Sequence, residues 1–228
     1  SGGHIDFGFL DAAKDFPGGF VWFVEQFMPN AKAFDQMEKI ASALAMTILD
    51  AIAAGTLAAV IAFILAVIAS RVSGVGGPVQ MVIRAFATVL RNIPTVAWGF
   101  ILVLSFKQAE FTGFLALFFK SLGFLTRAFI ETIDEADAGS IEALKATGAS
   151  KLQIIVHGVF PLSLTQVVSW VLYMIETNFR DATLVGMLTG TGIGFVFNWY
   201  YRTFKYPTAG LVIICIAVAV IVVEAVSN

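Results

Sequence analysis

Residues 51–70 read AIAAGTLAAVIAFILAVIAS, a run that contains no charged side chain. About 20 apolar residues are enough to cross the hydrocarbon core of a bilayer as an α-helix. Backbone polar groups in lipid must bond to one another, so only helices and closed β-barrels can span a membrane. Barrel strands alternate apolar and polar residues, and this run does not. The run therefore predicts an α-helical membrane span.

Four further apolar runs predict additional spans at residues 91–106, 111–126, 158–175 and 206–223. The first of these is short, so we expect it to extend back through VIRAFATVL, with Pro94 kinking or breaking the helix. Of the 228 residues, 58% are hydrophobic and 13% are charged. That charged share is about half the share usual in a soluble domain. The sequence predicts an all-α integral membrane protein with about five spans.

Charged and metal-binding residues are too few to indicate nucleic-acid binding or metal binding. The net charge of -2 is too small to suggest a nucleic-acid partner. His4 and His157 are the two histidines, and no acidic cluster is arranged to help them, so we expect neither a metal nor another cofactor. Cys215 is the single cysteine, which means that no intrachain disulfide can form.

The amino-terminal part of the chain differs from the spans. Residues 1–39 mix charged residues with glycines and aromatics. Within them, FPGGFVWFVEQFMPN predicts an interfacial or simply connecting helix that ends at Pro29 and Asn30. The chain opens SGGHIDFG, without an initiator Met or a signal-peptide pattern, so we expect a trimmed start and a missing first span.

A short polar segment, IEALKATGASKLQIIVHGVFP, interrupts the spans. Ser140 can cap a helix whose first turn carries Glu142, and Gly148 can end that helix. Ser150 begins a second helix, because Gln153 completes an S-x-x-Q capping box, and this helix should run to the following proline. Neither helix is long enough to cross a bilayer. The pattern predicts an exposed helix–turn–helix knob in water or at the headgroups.

The same segment resembles the EAA signature of ATP-binding-cassette (ABC) importer permeases. That signature reads E-A-A, then three residues, G, nine residues and I-x-L-P. Its spacing is matched by Glu142, Ala143, Gly148 and Pro161. Departures from its preferred residues occur at Leu144, Gly158 and Phe160. In that family the segment is the cytoplasmic coupling helix that binds in a cleft of the ATPase subunit. The resemblance implies a cytoplasmic coupling segment at residues 131–157.

Longer stretches are similar to the phosphonate permease family, whose members show R-x-I-P then W, E-x-N-x-R-x-A-T and G-x-G-G-I-G segments. The matching residues are Arg91, Ile93, Pro94, Trp98, Glu176, Asn178, Arg180, Ala182, Thr183, Gly190, Gly192, Ile193 and Gly194. Thr191 interrupts the paired glycine of the last segment. The resemblance extends over most of the chain and implies the type I ABC importer permease fold (MetI-like).

This resemblance implies a permease subunit of the bacterial cytoplasmic (inner) membrane that is not an enzyme. A second permease copy would complete the path through the lipid, a cytoplasmic ABC ATPase dimer would hydrolyse ATP, and an extracytoplasmic solute-binding protein would deliver the cargo. The implied cargo is phosphonate or a related phosphorus oxyanion such as phosphite or phosphate, moved by alternating access. Residues 40–228 would form the permease domain, and residues 1–39 an extracytoplasmic or interfacial segment.

Seven residues are candidates for the translocation path or its gate: Lys120, Glu176, Asn178, Arg180, Gly190, Gly192 and Gly194. Lys120 lies among apolar residues, where it either faces a polar path or snorkels to an interface. Glu176 and Arg180 are four residues apart, which also suits a structural ion pair on one helix face.

The three glycines lie in residues 180–207, which we expect to form a long loop or a partly re-entrant segment. They resemble a phosphate-binding loop superficially, but no G-K-[ST] follows and no βαβ context exists. Close helix packing or a flexible gate is the expected role.

Three alternative functions are left open. The first is an ABC permease for another small solute, such as methionine. A secondary transporter would need its own ion-coupling residues and usually an inverted repeat, and the sequence shows neither. A membrane-embedded enzyme would need a convergent set of titratable groups within its spans, and Lys120 alone is not such a set.

Overall fold

The computed structural model describes residues 9–71, 76–135 and 138–227, and all regular structure in these ranges is helical, as predicted. His4 lies outside the described residues. The helices in chain order are α1 (Phe9–Phe27), α2 (Ala31–Phe34), α3 (Met37–Ala69), α4 (Gly77–Asn92), α5 (Thr95–Phe106), α6 (Glu110–Asp134), α7 (Ala138–Ala146), α8 (Lys151–Ile154), α9 (Phe160–Thr189), α10 (Gly192–Arg202) and α11 (Tyr206–Ser227). A π-helix, Ile155–Val159, joins α8 to α9.

Four helices or helix runs in the described residues are long and apolar enough to cross a bilayer, and α4 with α5 adds a fifth if counted as one broken span. This agrees with the five predicted spans, although the helices extend beyond the apolar runs. α3, for example, has 33 residues and begins at Met37, well before residue 51. Hydropathy detects only the part of a helix that is apolar enough for hydrocarbon, so polar ends are missed.

The span around Pro94 is broken into two helices. α4 and α5 meet at an angle of 93°. Ile93 has extended backbone angles (φ −86°, ψ 120°), the conformation that the ring of a following proline favours. Pro94 has no N–H to continue the helical hydrogen bonds and becomes the N-cap residue of α5. The predicted effect of Pro94 is confirmed.

Small residues let α3 pack closely against its neighbours. Its fully buried alanines recur every three or four residues: Ala51, Ala54, Ala58, Ala62, Ala66 and Ala69. A Cβ atom at Gly55 would lie 3.0 Å from Cγ1 of Ile175 on α9. The larger side chains that complete this core come mainly from α6 and include Leu125, Phe129 and Ile130. Close packing of this kind holds helices together in lipid, where the hydrophobic effect between helices is absent.

The amino-terminal helix ends where the sequence predicted. α1 stops at Phe27, and Asn30 then caps α2 by accepting the N–H of Ala33 at 3.0 Å. Two aromatic residues of α1, Trp22 and Phe27, contact Tyr206 of α11. The helix is thereby attached to the last span by ring packing.

Residues 180–207 are mostly helical, so the expected long loop is wrong, and the alternative of a partly re-entrant segment stays a prediction. α9 continues to Thr189, and α10 begins at Gly192. Gly190 ends α9 in a left-handed conformation (φ 74°), which glycine adopts without steric cost. The glycines that suggested a loop are confined to a tight turn and to the start of a helix.

Of two further predicted helix boundaries, the one at Ser140 is wrong and the one at Pro161 is confirmed to within one residue. α7 begins at Ala138, so Ser140 lies inside the helix and not at its N-cap position. The second helix runs on through the π-helix to Val159, and α9 then begins at Phe160 with Pro161 in its first turn, so the second helix leads into the following span. The π-helix immediately before Pro161 widens the turn and so accommodates a residue that cannot donate a backbone hydrogen bond.

Candidate functional site

A pocket of about 330 Å³ opens at the break between α4 and α5. Helices α4, α5, α6 and α9 contribute to its lining, which consists of Arg91, Ile93, Pro94, Thr95, Val96, Lys120, Asp181 and Leu184. Charged side chains within membrane spans are costly, and those that occur face the bundle interior or a polar cavity. Three charged residues around one cavity therefore make this pocket the candidate functional site.

Lys120 of α6 and Asp181 of α9 form an ion pair in this pocket. Nζ of Lys120 donates to Oδ2 of Asp181, and the same oxygen accepts a hydrogen bond of 2.6 Å from Oγ1 of Thr95. The side chains of Lys120 and Asp181 are 21% and 23% exposed. Removing one partner of a buried pair costs about 3–5 kcal/mol, and somewhat less where part of each group is exposed. Each residue is thus held in place by the other.

Positive charge dominates the pocket. Arg91, in the last turn of α4, is exposed and has no ion-pair partner among the described residues. α5 begins beside it at Thr95, where no side chain among the described residues caps the helix and the first N–H groups carry partial positive charge. Because Asp181 offsets only Lys120, Arg91 and the helix end leave a net attraction for an anion.

A buried polar pair lies next to the pocket. Ser121 of α6 and Asn178 of α9 bond to each other, with Nδ2 of Asn178 2.8 Å from Oγ of Ser121. Asn178 has no exposed surface and does not line the pocket. The pair fixes α6 against α9 and so keeps Lys120 opposite Asp181. A role of Asn178 in a translocation path stays a prediction.

Glu176 and Arg180 form the ion pair that their spacing predicted. The Glu176 side chain is 13% exposed and that of Arg180 is 47% exposed. Neither residue lines the pocket at the helix break. The two predicted path cations are therefore separated: Lys120 lies in the pocket and Arg180 lies outside it. Their contribution to transport stays a prediction.

Gly190, Gly192 and Gly194 lie at the turn between α9 and α10. A Cβ atom at Gly192 would be 2.5 Å from Oγ1 of Thr47 on α3, and one at Gly194 would collide with the carbonyl oxygen of Thr183. Close packing at these two positions requires the absence of a side chain. Movement of this turn as a gate stays a prediction.

An exposed turn connects α7 to α8, as the sequence predicted. Gly148 has a left-handed backbone (φ 78°), and its N–H donates to the carbonyl oxygen of Lys145 at 3.0 Å. The N–H of Ala149 donates to the carbonyl oxygen of Leu144 at 3.3 Å. These two hydrogen bonds close the end of α7 in the pattern typical of a helix that stops at glycine.

The second helix of the knob begins with the predicted capping box. The side chain of Ser150 accepts the N–H of Gln153, and the side chain of Gln153 accepts the N–H of Ser150 at 2.8 Å. Glu142, Ala143 and Pro161 are exposed. The knob is thus a locally well-bonded structure whose signature residues are accessible, and their role in coupling stays a prediction.

A cluster of polar groups near the knob connects α4, α6 and the end of α3. Asp134, the last residue of α6, bonds Nη2 of Arg84 on α4 at 2.7 Å and accepts the N–H of Arg71 at 2.6 Å. Arg84 also donates from Nε and Nη2 to the carbonyl oxygen of Ala69, at 3.2 and 3.1 Å. α7 begins four residues after Asp134, and Arg91 follows Arg84 by two helical turns. The cluster therefore connects the knob to the helix that ends at the pocket.

Asp181 and Thr95 were missed as site residues from the sequence. A usable signal existed for Asp181, because a carboxylate inside a long apolar helix needs a cationic partner and Lys120 was the cation placed within another span. Thr95 gave no such signal, since an uncharged threonine does not require a charged partner.

Fold and site together define the class: a multi-pass helical membrane protein with a broken span, a charged pocket between its helices and an exposed helical knob. The chain belongs to the family of binding-protein-dependent transport system inner membrane components, which matches residues 59–228. The family description agrees with the predicted location in an inner membrane.

Two curated relatives are similar over most of this chain. The phosphite transport system permease protein of Stutzerimonas stutzeri is 31% identical over 182 residues, which are 80% of this chain and 66% of that protein. The phosphate-import permease protein of Mycolicibacterium smegmatis is 30% identical over 187 residues, which are 82% of this chain and 35% of that protein. The chain thus spans less than two thirds of the length of these relatives.

Solved structures with the same fold are permeases of ABC transporters. An inward-facing form of the MetNI methionine ABC transporter superposes with a TM-score of 0.75 at 17% identity, covering 85% of this chain and 94% of that chain. An amino acid ABC transporter structure gives a TM-score of 0.72 at 14% identity, covering 85% and 93%. Identities this low show the fold alone, and they confirm the predicted MetI-like fold.

Proposed function

We propose that this chain is the permease subunit of an ATP-driven importer and that two copies form a path for phosphonate or a related phosphorus oxyanion. The observation that carries the proposal is the pocket at Pro94, where Lys120 and Arg91 face a cavity between membrane helices. Membership of the transport family supports the permease role. Two relatives, named for phosphite and for phosphate, support the cargo class.

The pocket suits an anion that has to lose its water. Burying a charged group is prohibitive unless fixed charges or oriented donors replace its hydration. Lys120, Arg91 and the first N–H groups of α5 are such donors, and Thr95 adds a hydroxyl. Asp181 keeps Lys120 paired while no cargo is bound, so the empty pocket does not hold an uncompensated charge.

The exposed knob supports the proposal that a separate protein supplies the energy for transport. In this proposal α7 and α8 bind a cytoplasmic ABC ATPase dimer, and an extracytoplasmic solute-binding protein delivers cargo to the opposite side. The knob lies in the chain between α6, which carries Lys120, and α9, which carries Asp181. A displacement of the knob can therefore change the relation between the two pocket residues. Alternating access requires that ATP binding and hydrolysis favour different conformations of this kind.

ATP-dependent uptake of labelled phosphite into liposomes tests the proposal, using the complex purified through this chain. Lys120→Met should lower uptake by about 10- to 100-fold, the effect of losing a hydrogen bond to a charged group. Lys107→Met is the matched control, because Lys107 is exposed and does not line the pocket. Lys120→Arg should keep part of the uptake. Equal uptake by the two methionine variants, with normal assembly, would contradict the proposal.

Coupling is tested separately at Gly148. Gly148→Val places a β-branched residue at φ 78°, at a cost of about 1–3 kcal/mol, and should raise the ATP consumed per molecule transported. Gly148→Asn is the control, because asparagine tolerates this conformation. Deletion of residues 140–149 should prevent copurification with an ATPase. Intact assembly after the deletion, or normal coupling in the valine variant, would exclude the docking role.

A further inference from the structure

One oxygen of the Asp181 carboxylate is unused in the pocket. Oδ2 accepts hydrogen bonds from Lys120 Nζ and from Thr95 Oγ1. Oδ1 has no hydrogen-bond partner in the part of the chain that the structure describes, and the side chain lines the cavity. The pocket therefore offers a hydrogen-bond acceptor, Oδ1 of Asp181, next to the cations Lys120 and Arg91. A site that only attracts negative charge does not need such an acceptor.

An anion drawn in by Lys120 and Arg91 must come close to this carboxylate. Two negatively charged oxygens in contact repel each other, and the repulsion is strong where water is scarce. The contact becomes favourable only if the anion presents an O–H group, because an O–H donor and a carboxylate form a short and strong hydrogen bond. A site with a fixed acceptor discriminates strongly against a ligand that lacks the matching donor.

We infer that Asp181 makes the pocket selective for oxyanions that still carry a P–OH hydrogen, against fully deprotonated oxyanions such as sulfate. The inference rests on the proposed function, since it assigns the substrate class of the same pocket. In it, Lys120 and Arg91 bind the charged oxygens, and Oδ1 of Asp181 accepts the remaining proton in a hydrogen bond. Asp181 is thus a specificity-determining residue and not only the counter-ion of Lys120.

A purely structural role for Asp181 predicts a different result. If the carboxylate served only to hold Lys120, replacing it would change the affinity for every oxyanion by a similar factor. Selectivity predicts a change in the ratio of two affinities instead. Asparagine is the informative replacement, because it keeps the shape of aspartate but can donate from its NH₂ group to an anion that has no proton.

The experiment measures binding to the full chain in lipid nanodiscs by isothermal titration, so that selection by a solute-binding protein does not enter. The probes are inorganic phosphate, which keeps at least one P–OH at neutral pH, and sulfate, which has none. The wild type should bind phosphate about 10- to 100-fold more tightly than sulfate. Asp181→Asn should reduce this ratio to about one by weakening phosphate and strengthening sulfate.

Two further variants separate the possible failures. Glu110→Gln removes an exposed carboxylate from α6, the helix that carries Lys120, at a position that does not line the pocket, and it should leave the ratio unchanged. Lys120→Met should weaken both anions. If Asp181→Asn weakens both anions equally while Lys120→Met also weakens both, the selectivity is overturned and the anion site stands. If Lys120→Met changes neither affinity, or the wild type binds neither anion, the site and the selectivity are both overturned.

Discussion

Gly123 determines how closely α4 approaches α6 next to the pocket. It is buried on α6, three residues after Lys120, and the end of α4 packs directly on it. A Cβ atom at this position would lie 2.6 Å from the backbone nitrogen of Arg91, 2.7 Å from Cβ of Leu90 and 2.9 Å from its carbonyl carbon. Two of these three atoms belong to the backbone, so no side-chain rotation can relieve the contact.

The cost of Gly123→Ala can be estimated from this geometry. Overpacking a tight core by a methyl group costs about 1–3 kcal/mol. Alanine is favoured over glycine inside a helix by about 1 kcal/mol, which offsets part of that cost. The net loss is therefore about 0–2 kcal/mol for alanine and larger for valine, which adds two more methyl groups and lacks the helix preference.

Gly99→Ala is the matched control on α5. There the nearest atoms to a new Cβ are side-chain methyl carbons, at 3.5 Å in Leu188 and 3.8 Å in Val185, which is ordinary contact. Helix preference should then make Gly99→Ala neutral or stabilising by up to about 1 kcal/mol.

The thermal unfolding midpoint in lipid nanodiscs compares the two variants. About 1 kcal/mol shifts the Tm of a chain of roughly this size by about 2–4 °C, so Gly123→Ala should unfold several degrees below Gly99→Ala. Because the end of α4 must move away from α6, Gly123→Ala should also weaken anion binding at Arg91 and Lys120. Equal midpoints for the two alanine variants would refute this account of the contact.

Two other polar contacts give sharp predictions. Asp134→Asn removes the charge that Arg84 contacts at 2.7 Å and should lower stability by about 1–3 kcal/mol. In a double-mutant cycle with Arg84→Gln the two losses should be less than additive, whereas additive losses would mean that the pair contributes nothing. Thr47→Val leaves the buried N–H of Ile193 without its acceptor at 2.9 Å and should cost about 1–3 kcal/mol. Thr56→Val, at an exposed position, should change stability by less than about 0.5 kcal/mol, and equal losses in both threonine variants would argue against the Thr47 contact.

Features that depend on a few neighbouring residues were predictable from the sequence. Pro94 breaks its helix because of its own ring and missing N–H, and the Ser150 capping box needs only Gln153 three residues later. The span at residues 51–70 follows from the absence of charge. In each case the cause lies within a few residues of the effect.

Features that depend on which face each helix turns toward its neighbours were not predictable in the same way. Lys120 and Asp181 are 61 residues apart, and their contact requires that α6 and α9 present these two faces to each other. Hydropathy alone does not determine that rotation. The small residues of α3, the Ser121–Asn178 pair and the close approach at Gly123 determine it together, and each depends on the others.

Glycines in this chain show why a single residue type is ambiguous. Gly190 ends α9 with a left-handed backbone, whereas Gly194 is helical and lies against the carbonyl oxygen of Thr183. The first role is a local turn and the second is close packing between helices. Both appear in sequence as a glycine-rich stretch, which is why a loop was expected where α10 begins.

The connectivity of the knob indicates where its movement would act. α4 and α6 contact each other at two separate points, through the Arg84–Asp134 pair beside the knob and through the close approach at Gly123 beside the pocket. Arg91 and Lys120 therefore belong to one rigid unit. Asp181 belongs to the other, the continuous helical run from Lys151 to Thr189 that begins within the knob. If an ATPase displaces the knob as proposed, the polar contacts that cross between the two units include the Ser121–Asn178 pair and, at the pocket, the Lys120–Asp181 bond. Opening that bond would expose Lys120 to an incoming anion, and closing it would return the pocket to its paired, empty state.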